Sequence, residues 1–179
     1  MNIKKKLVQG FTLIELLIVV IILSILAAIV IPQFSASTDD AKTASAQSSL
    51  SNLRSVIDLY YQQHGEYPGA KLATGCGNGS TAGTGAAHSA SAAISQLTLY
   101  TDGEGVACSK SGGGYDFGPY YKKTTLPGDP FTNNNVLVVL DAATSGDLNM
   151  NATGTTAGGW KLDPLTGKIL INHEDHDDL

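Results

Sequence analysis

Residues 4–34 read KKKLVQGFTLIELLIVVIILSILAAIVIPQF, and this stretch decides the fold of the N-terminal part of the chain. An apolar run extends from Phe11 to Ile31, and as a helix its 21 residues would be about 30 Å long. That length is sufficient to cross the hydrocarbon core of a bilayer. The run contains only three polar residues, which are Thr12, Glu15 and Ser24.

The charges that flank the apolar run predict its orientation. Lys4, Lys5 and Lys6 precede it, and no basic cluster directly follows it. The positive-inside rule therefore keeps the N-terminus in the cytoplasm and places residues 33–179 on the other side of the membrane. A cleaved secretory signal would have a shorter apolar core, followed by an A-x-A-like cleavage site. The residues at the C-terminal end of this run match such a site poorly.

Glu15 is the one carboxylate of the run, and a charge within a bilayer requires compensation. One explanation is that its side chain extends to the headgroup layer, beside the lysines. The other explanation is that a positive group pairs with the carboxylate, and the residues before the run indicate where such a group would come from.

The basic leader, Gly10, the segment Phe11-Thr12-Leu13-Ile14-Glu15 and the apolar helix closing at Pro32 resemble the class III signal of type IV pilins and type II secretion pseudopilins. In that family a prepilin peptidase cuts after the glycine and methylates the new N-terminal residue. The resemblance implies cleavage between Gly10 and Phe11, N-methylation of Phe11, and an assembly role for Glu15 and Pro32. The new amine of Phe11, in the same chain or a neighbouring subunit, would be the partner of Glu15.

Length and resemblance together predict a leader peptide, a transmembrane and filament-core helix and one globular head domain, at residues 1–10, 11–32 and 33–179. Apolar residues continue at helical spacing beyond the run, at Leu50, Leu53, Ile57 and Tyr60–Tyr61. Gly65 stands where a C-terminal cap would be. We therefore predict one helix from about Thr12 to His64, bent or loosened at Pro32.

The rest of the chain predicts a second short helix and an antiparallel sheet. The helix lies within residues 90–100, and the predicted strands are 115–121, 136–140, 160–162 and 169–171. The last two flank a turn at residues 163–167 and form a hairpin, with Trp160 and Leu162 facing the core. The fold class is α+β, and it resembles the pilin fold, in which the apolar half of the long helix projects and the second half packs on the sheet.

Cys76 and Cys108 are the two cysteines, and they lie in a region rich in Gly, Ser, Ala and Thr. An even pair in an exported chain predicts a disulfide bond, which would hold this poorly packed region. In many type IV pilins the bonded pair brackets a region nearer the C-terminus, so this position departs from their pattern.

Metal binding has weak support. Major pseudopilins bind calcium in a late loop, and oxygen ligands at short spacing are available here at Asp141, Ser145, Asp147, Asn149 and Asn151. The alternative is a solvated turn, and the motif assigns no ligand. His173 and His176 lie in an acidic tail without the H-E-x-x-H spacing, which predicts a solvated terminus. We therefore expect no cofactor, with calcium as the open possibility.

Composition and motif searches exclude two classes of function. Without the three leader lysines, eight basic residues face sixteen acidic ones, a net charge of −8, which does not favour binding to nucleic acid. No nucleophile elbow, phosphate-binding loop or haem-attachment motif is present, so we expect no enzymatic activity.

The predicted function is that of a structural subunit of a type IV pilus-like filament. The precursor would sit in the bacterial inner membrane, and the polymer would be an extracellular pilus or a periplasmic pseudopilus. The implied partners are copies of the same chain, the prepilin peptidase, an assembly ATPase and a platform membrane protein. One alternative is the major pseudopilin of a type II secretion system. An alternative of another class is a membrane-tethered extracytoplasmic binding module.

Overall fold

The structure, a computed structural model, describes residues 11–77, 79–154 and 158–179, without the side chains of residues 30–36. Two helices precede a set of short strands, which confirms the predicted α+β class. The described chain forms two compact units, with the boundary between Ala41 and Lys42. The elements are α1 (Leu13–His64), α2 (Ala90–Thr98), β1 (Tyr100–Thr101), β2 (Ala107–Cys108), β3 (Leu137–Val139), β4 (Trp160–Leu162) and β5 (Ile169–Ile171).

The long helix α1 has 52 residues and confirms the predicted span to within one residue. It continues through Pro32, and the bend expected there stays a prediction. Gly65 ends the helix as predicted, because its φ of 71° lies in the left-handed region that favours glycine. Its N–H donates to the Tyr61 carbonyl at 2.8 Å, which satisfies one of the last carbonyl groups of the helix.

The second half of α1 buries one apolar stripe against the sheet. Ala46, Leu50, Leu53 and Ile57, spaced by three and four residues, are at most 1% exposed. They form one core with the inward side chains of the strands, among them Leu137, Trp160, Leu162, Ile169 and Ile171. Tyr60 extends the stripe, whereas Tyr61 is 43% exposed and stacks on Tyr67. The predicted packing of helix on sheet is therefore confirmed.

The three-stranded sheet has the order β3-β4-β5. Strands β4 and β5 form the predicted antiparallel hairpin, with Trp160 opposite Ile171 and Leu162 opposite Ile169. Trp160 and Leu162 are fully buried, as expected for the core face. Strand β3 is parallel to β4, so the sheet is mixed rather than wholly antiparallel. The long connection between β3 and β4 allows this crossover, because parallel neighbours cannot be joined by a tight turn.

The predicted strand at residues 115–121 is wrong. This segment makes only two isolated bridges, Thr101 to Phe117 and Gly112 to Tyr115. Gly118 has a φ of 74°, which is outside the strand region, and Pro119 has no N–H to donate to a neighbouring strand. The partial apolar alternation therefore reflects local packing, and β1 pairs with β2 instead.

The predicted short helix is confirmed as α2, whose N-terminus is capped by Ser89. Its buried Gln96 organises the surrounding loops, because the Oε1 atom accepts from Gly69 N at 2.7 Å. The Nε2 atom donates to the carbonyls of Lys71 at 3.3 Å and Gly105 at 3.0 Å. One amide side chain thus connects two loop segments, at residues 69–71 and at Gly105, to the helix.

Candidate functional site

The described N-terminal part of α1 is apolar on all sides and exposed on all sides. Every large apolar side chain from Phe11 to Ile29 is at least 50% exposed. A helix that is apolar all round is stable only when other apolar groups surround it. This surface is the most prominent candidate for an interaction in the chain.

No helix in the described part of the chain is long and apolar enough to cross a membrane.

Glu15 closes a capping box at the start of α1. Its Oε2 atom accepts from Thr12 N at 2.8 Å and from Thr12 Oγ1 at 2.7 Å, while Glu15 N donates back to Thr12 Oγ1 at 3.3 Å. This reciprocal arrangement satisfies backbone donors that the first turn of a helix leaves unpaired. Within the described residues the second oxygen, Oε1, accepts no hydrogen bond, so the carboxylate can take another donor.

The capping box was not anticipated, although the sequence contains its signal. The spacing Thr12-x-x-Glu15 directly before an apolar run is typical of a helix N-terminus. Glu15 therefore has a local structural role that the analysis of charge alone missed. This role does not replace the predicted pairing, because only one of the two carboxylate oxygens is engaged.

The other predicted assembly residues are described to different extents. Phe11 is 85% exposed, and Gly10 lies outside the described residues. Pro32 lies within α1, but its side chain is not among those described. Cleavage, methylation and assembly at these positions stay predictions.

The two cysteines are joined, as expected. The Cys76 and Cys108 Cα atoms are 5.5 Å apart, and the bond closes a sequence separation of 32 residues. Cys108 is fully buried at the end of β2, beside a small core of Ala73, Ala92 and Ala107. The disulfide therefore fixes a region whose own apolar core consists mainly of alanine side chains.

Asp129 is a buried carboxylate that the sequence analysis did not identify. Its Oδ1 atom accepts from the N–H groups of Phe131 at 3.0 Å and Thr132 at 2.8 Å. Its Oδ2 atom accepts from Gly159 N at 2.8 Å, from Asn134 N at 3.2 Å and from the Thr132 hydroxyl. Burial alone would raise the pKa of Asp129, but these hydrogen bonds outweigh burial and hold the pKa below its usual value. An aspartate after Pro-Gly is a recognisable turn signal, but its link to Gly159 is not.

In the oxygen-rich loop at residues 141–151, the carboxylates of Asp141 and Asp147 accept hydrogen bonds from the N–H groups of their own turns. Asp141 Oδ1 accepts from the N–H groups of Ala143 and Thr144 and from the Thr144 hydroxyl, which lower the pKa of Asp141. Asp147 Oδ1 accepts from Asn149 N at 2.8 Å. Each carboxylate thus caps its own turn. Over the described ranges, no group of three or more His, Cys, Asp or Glu residues could hold a metal ion.

The C-terminal tail packs back onto the rest of the second compact unit, residues 42–179. The rings of His176 and Phe131 are stacked with centroids 3.5 Å apart, and Asp177 Oδ2 accepts from Ala152 N at 2.7 Å. Leu179 packs against the main core. The prediction of a simply solvated terminus is therefore wrong, because aromatic stacking and a carboxylate contact hold the tail.

Comparisons with known proteins find two kinds of relative, type II secretion system core proteins and fimbrial or pilin proteins. A family model described as the prokaryotic N-terminal methylation motif matches residues 5–31. The type II secretion system core protein G of Pseudomonas aeruginosa is 42% identical over 60 residues, which are 34% of this chain and 42% of that protein. The fimbrial protein of Neisseria meningitidis serogroup B is 40% identical over 67 residues, which are 37% of this chain and 39% of that protein.

A third relative, the type IV major pilin protein PilE1 of Neisseria gonorrhoeae, is 40% identical over 60 residues, which are 34% of this chain and 36% of that protein. The chain therefore spans less than half the length of each of these relatives. No solved structure matches the chain. These matches confirm the predicted resemblance, and they favour neither the pilin nor the secretion protein over the other.

Proposed function

We propose that this chain, a relative of type IV pilins and type II secretion core proteins that carries their N-terminal methylation motif, is a structural filament subunit without enzymatic activity. Copies of the chain would polymerise through the apolar N-terminal part of α1, within residues 11–32. One observation carries the proposal: the exposed segment from Phe11 to Ile29, which is apolar all round, holds a single carboxylate, Glu15, about one turn from the predicted cleavage point.

The precursor would be anchored in the bacterial inner membrane by residues 11–32, with the leader in the cytoplasm. Prepilin peptidase would cut between Gly10 and Phe11 and methylate Phe11. A cytoplasmic ATPase and a platform membrane protein would then drive transfer of the helix from lipid into the filament. Because lipid tails are as apolar as the helix, this transfer gains little hydrophobic free energy, and specific contacts must select the assembled state.

Glu15 would provide that selection. Cleavage creates an amine at Phe11, and methylation leaves its positive charge in place. In the described chain Glu15 uses Oε2 for the Thr12 cap, and Oε1 is the natural acceptor for the amine of an incoming subunit. An ion pair inside a bundle of apolar helices fixes how far one helix slides past the next, because any other register leaves a charge unpaired.

Two destinations of the filament remain within this proposal. The relatives include pilins and type II secretion core proteins, so an extracellular pilus and a periplasmic pseudopilus are both supported. A binding module that is tethered by the same helix and never polymerises is the competing class. Such a protein would require neither cleavage before the helix nor a charge within it.

The first test concerns processing. We expect the intact mass of protein extracted from its native bacterium to lack residues 1–10 and to include one added methyl group. The motif at residues 5–31 supports this expectation. Recovery of the full-length chain alone, or of a chain starting after Ile31, would exclude a pilin-like subunit.

The second test concerns assembly through Glu15. Leucine at this position makes the anchor more apolar, so a tethered module would be unaffected. In a filament the amine of Phe11 would face an apolar bundle without a carboxylate, and we expect Glu15→Leu to reduce sheared fibre by about tenfold or more. Glu15→Asp keeps the charge with a shorter reach and should be intermediate.

Two controls separate ion pairing from other effects. Ser24→Ala also removes a polar group from the apolar run. Among the described residues Ser24 Oγ donates only to the Val20 carbonyl of its own helix, so fibre should form normally. Thr12→Ala removes the hydroxyl of the capping box while leaving Glu15 charged. Fibre at the wild-type level from Glu15→Leu would refute the pairing mechanism, and a wild-type chain that never polymerises with its assembly machinery would favour the tethered module.

A further inference from the structure

Two lysines of the β4–β5 hairpin bind the backbone of the loop at residues 141–151. Lys168 Nζ donates to the carbonyls of Leu148 and Met150, each at 3.0 Å. Lys161 Nζ donates to the carbonyl of Asn151 at 2.7 Å. A short stretch of the loop therefore directs three carbonyl oxygens at two ammonium groups.

The hairpin geometry explains why these lysines meet the loop. Lys161 lies between Trp160 and Leu162, whose side chains face the core, so its own side chain points to the opposite face of the sheet. Leu170 pairs with Lys161 across the hairpin and lies on the same face, where it is 1% exposed. That face is therefore covered, and the contact with Asn151 places the loop there.

The N–H groups of the same region bind carboxylates. Gly146 N donates to Asp163 Oδ2 at 2.8 Å, and Ala152 N donates to Asp177 Oδ2 at 2.7 Å. Carbonyl oxygens thus pair with lysines, and amides pair with aspartates. Both types of backbone group are satisfied by side chains of the protein itself.

These contacts occupy carbonyl oxygens that a calcium ion could otherwise bind, and they place two ammonium charges beside them. Calcium takes six to eight oxygen ligands, mostly carboxylates and carbonyls. Here the Leu148 and Met150 carbonyls bind Lys168, and Asp141 and Asp147 cap their own turns. Ser145 Oγ is buried without a partner among the described residues, but one neutral hydroxyl is not a calcium site. The residues present do not fit a calcium ion.

We propose that the ammonium groups of Lys168 and, to a lesser extent, Lys161 hold the carbonyl groups of the loop at residues 141–151 in place of a bound cation. The order of this loop would then not require bound calcium. An ammonium group has three donors and one compact charge, which suits two carbonyl oxygens at hydrogen-bonding distance. The loop would keep its conformation in calcium-rich and calcium-poor surroundings alike. It would loosen when an uncharged side chain replaces Lys168.

The test is amide hydrogen exchange across residues 146–152 of the full chain in mild detergent. The wild-type protein is measured with a calcium chelator and with about 1 mM calcium, the range in which extracellular calcium modules bind. We expect equal exchange in both conditions. Lys168→Met should exchange about tenfold faster in this segment, because two carbonyls lose a charged donor. Lys168→Arg should stay slow.

A matched control removes the same charge elsewhere. Lys123→Met lies at an exposed position of another loop and should leave the segment unchanged. The fluorescence of the buried Trp160 reports whether each variant is folded. If Lys168→Met does not fold, the proposal is tested by amide exchange in Lys161→Met and by the exchange of the wild type with and without calcium. Slower exchange of the wild type in calcium, or unchanged exchange in the folded lysine variants, would overturn the proposal.

Discussion

Asp129→Asn should strongly destabilise the compact unit of residues 42–179, although it replaces one side chain with another of nearly equal size. Both carboxylate oxygens of Asp129 accept hydrogen bonds, Oδ1 from two backbone N–H groups and Oδ2 from Gly159 N, Asn134 N and the Thr132 hydroxyl. An amide has one oxygen, so either orientation of the asparagine directs its NH₂ group at donors. The substitution therefore leaves buried donors unpaired whichever way the amide turns.

The size of the effect follows from those donors. Each buried donor left unsatisfied costs about 1–3 kcal/mol. The Thr132 hydroxyl can rotate to another acceptor, and Asn134 N also contacts Thr132 Oγ1 at 3.3 Å, so these two recover part of the loss. Gly159 N is buried and has no such alternative in the described structure. We expect the free energy of unfolding to fall by about 2–4 kcal/mol at neutral pH.

Trp160 is the single tryptophan of the chain and a direct reporter for this measurement. It is fully buried next to Gly159, and its Nε1 atom donates to the Pro127 carbonyl at 2.7 Å, beside the Asp129 turn. Denaturant unfolding followed by its fluorescence gives the free energies of wild type and variant. Asp102→Asn is the matched control, because Asp102 accepts from Glu104 and Val106 through Oδ1 alone, which an amide oxygen can replace.

The pH dependence provides an independent check. Because the pKa of Asp129 is lower in the folded protein, its ionised form stabilises the fold above the unfolded pKa of about 3.9. This contribution is lost as the pH falls through the pKa of Asp129 in the folded protein. The difference in the free energy of unfolding between wild type and Asp129→Asn should therefore become smaller in acid. A loss below about 1 kcal/mol at neutral pH, or one equal to that of Asp102→Asn, would refute the argument.

Two further predictions concern the disulfide and a half-buried histidine. Cys76→Ser should lower the free energy of unfolding by up to about 3.7 kcal/mol in the chain-entropy model, since the bond closes 32 residues. Reduction of the wild-type disulfide should lower it by a similar amount. An unchanged unfolding midpoint in both cases would contradict the prediction. Burial lowers the pKa of His64, although the Gly103 carbonyl and the charge of Asp102 act in the opposite direction. The unfolded chain therefore binds this proton more tightly than the folded protein. The free energy of unfolding should decline as the pH falls below about 6.5. His64→Gln should flatten that decline, and equal slopes in the two proteins would disprove a role for His64.

The features that were predicted correctly depend on local sequence. The long helix follows from its apolar run and from an apolar stripe at helical spacing that ends at Gly65. The hairpin of β4 and β5 follows from two short apolar segments around a turn cluster. The disulfide follows from the presence of two cysteines in a chain that the sequence predicts to be exported. In each case the signal lies within the element or in the residue count.

The features that were missed depend on contacts between distant segments. The segment at residues 115–121 alternates partly between apolar and polar residues, but Gly118 and Pro119 prevent continuous pairing with a neighbouring strand. Phe117 forms only an isolated bridge to Thr101 of β1. The parallel partner of β4 could not be inferred, because the intervening residues carry no periodic signal. The tail was expected in solvent, but the Phe131 ring on which His176 stacks is 45 residues earlier in the sequence. No local pattern encodes such a contact.

The compact unit of residues 42–179 has a further property that limits the prediction of its structure from residue propensities. Its strands are two or three residues long, so regular pairing satisfies few of its backbone groups. Single polar side chains take over this function: Asp129 and Gln96 each join loop segments, and Lys168 binds a loop from the hairpin. A buried backbone group without a partner is as costly as a lost hydrogen bond. Substitutions that conserve size but change donors to acceptors, such as Asp129→Asn, should therefore damage this domain more than conservative exchanges within its apolar core, where no donor is left unpaired.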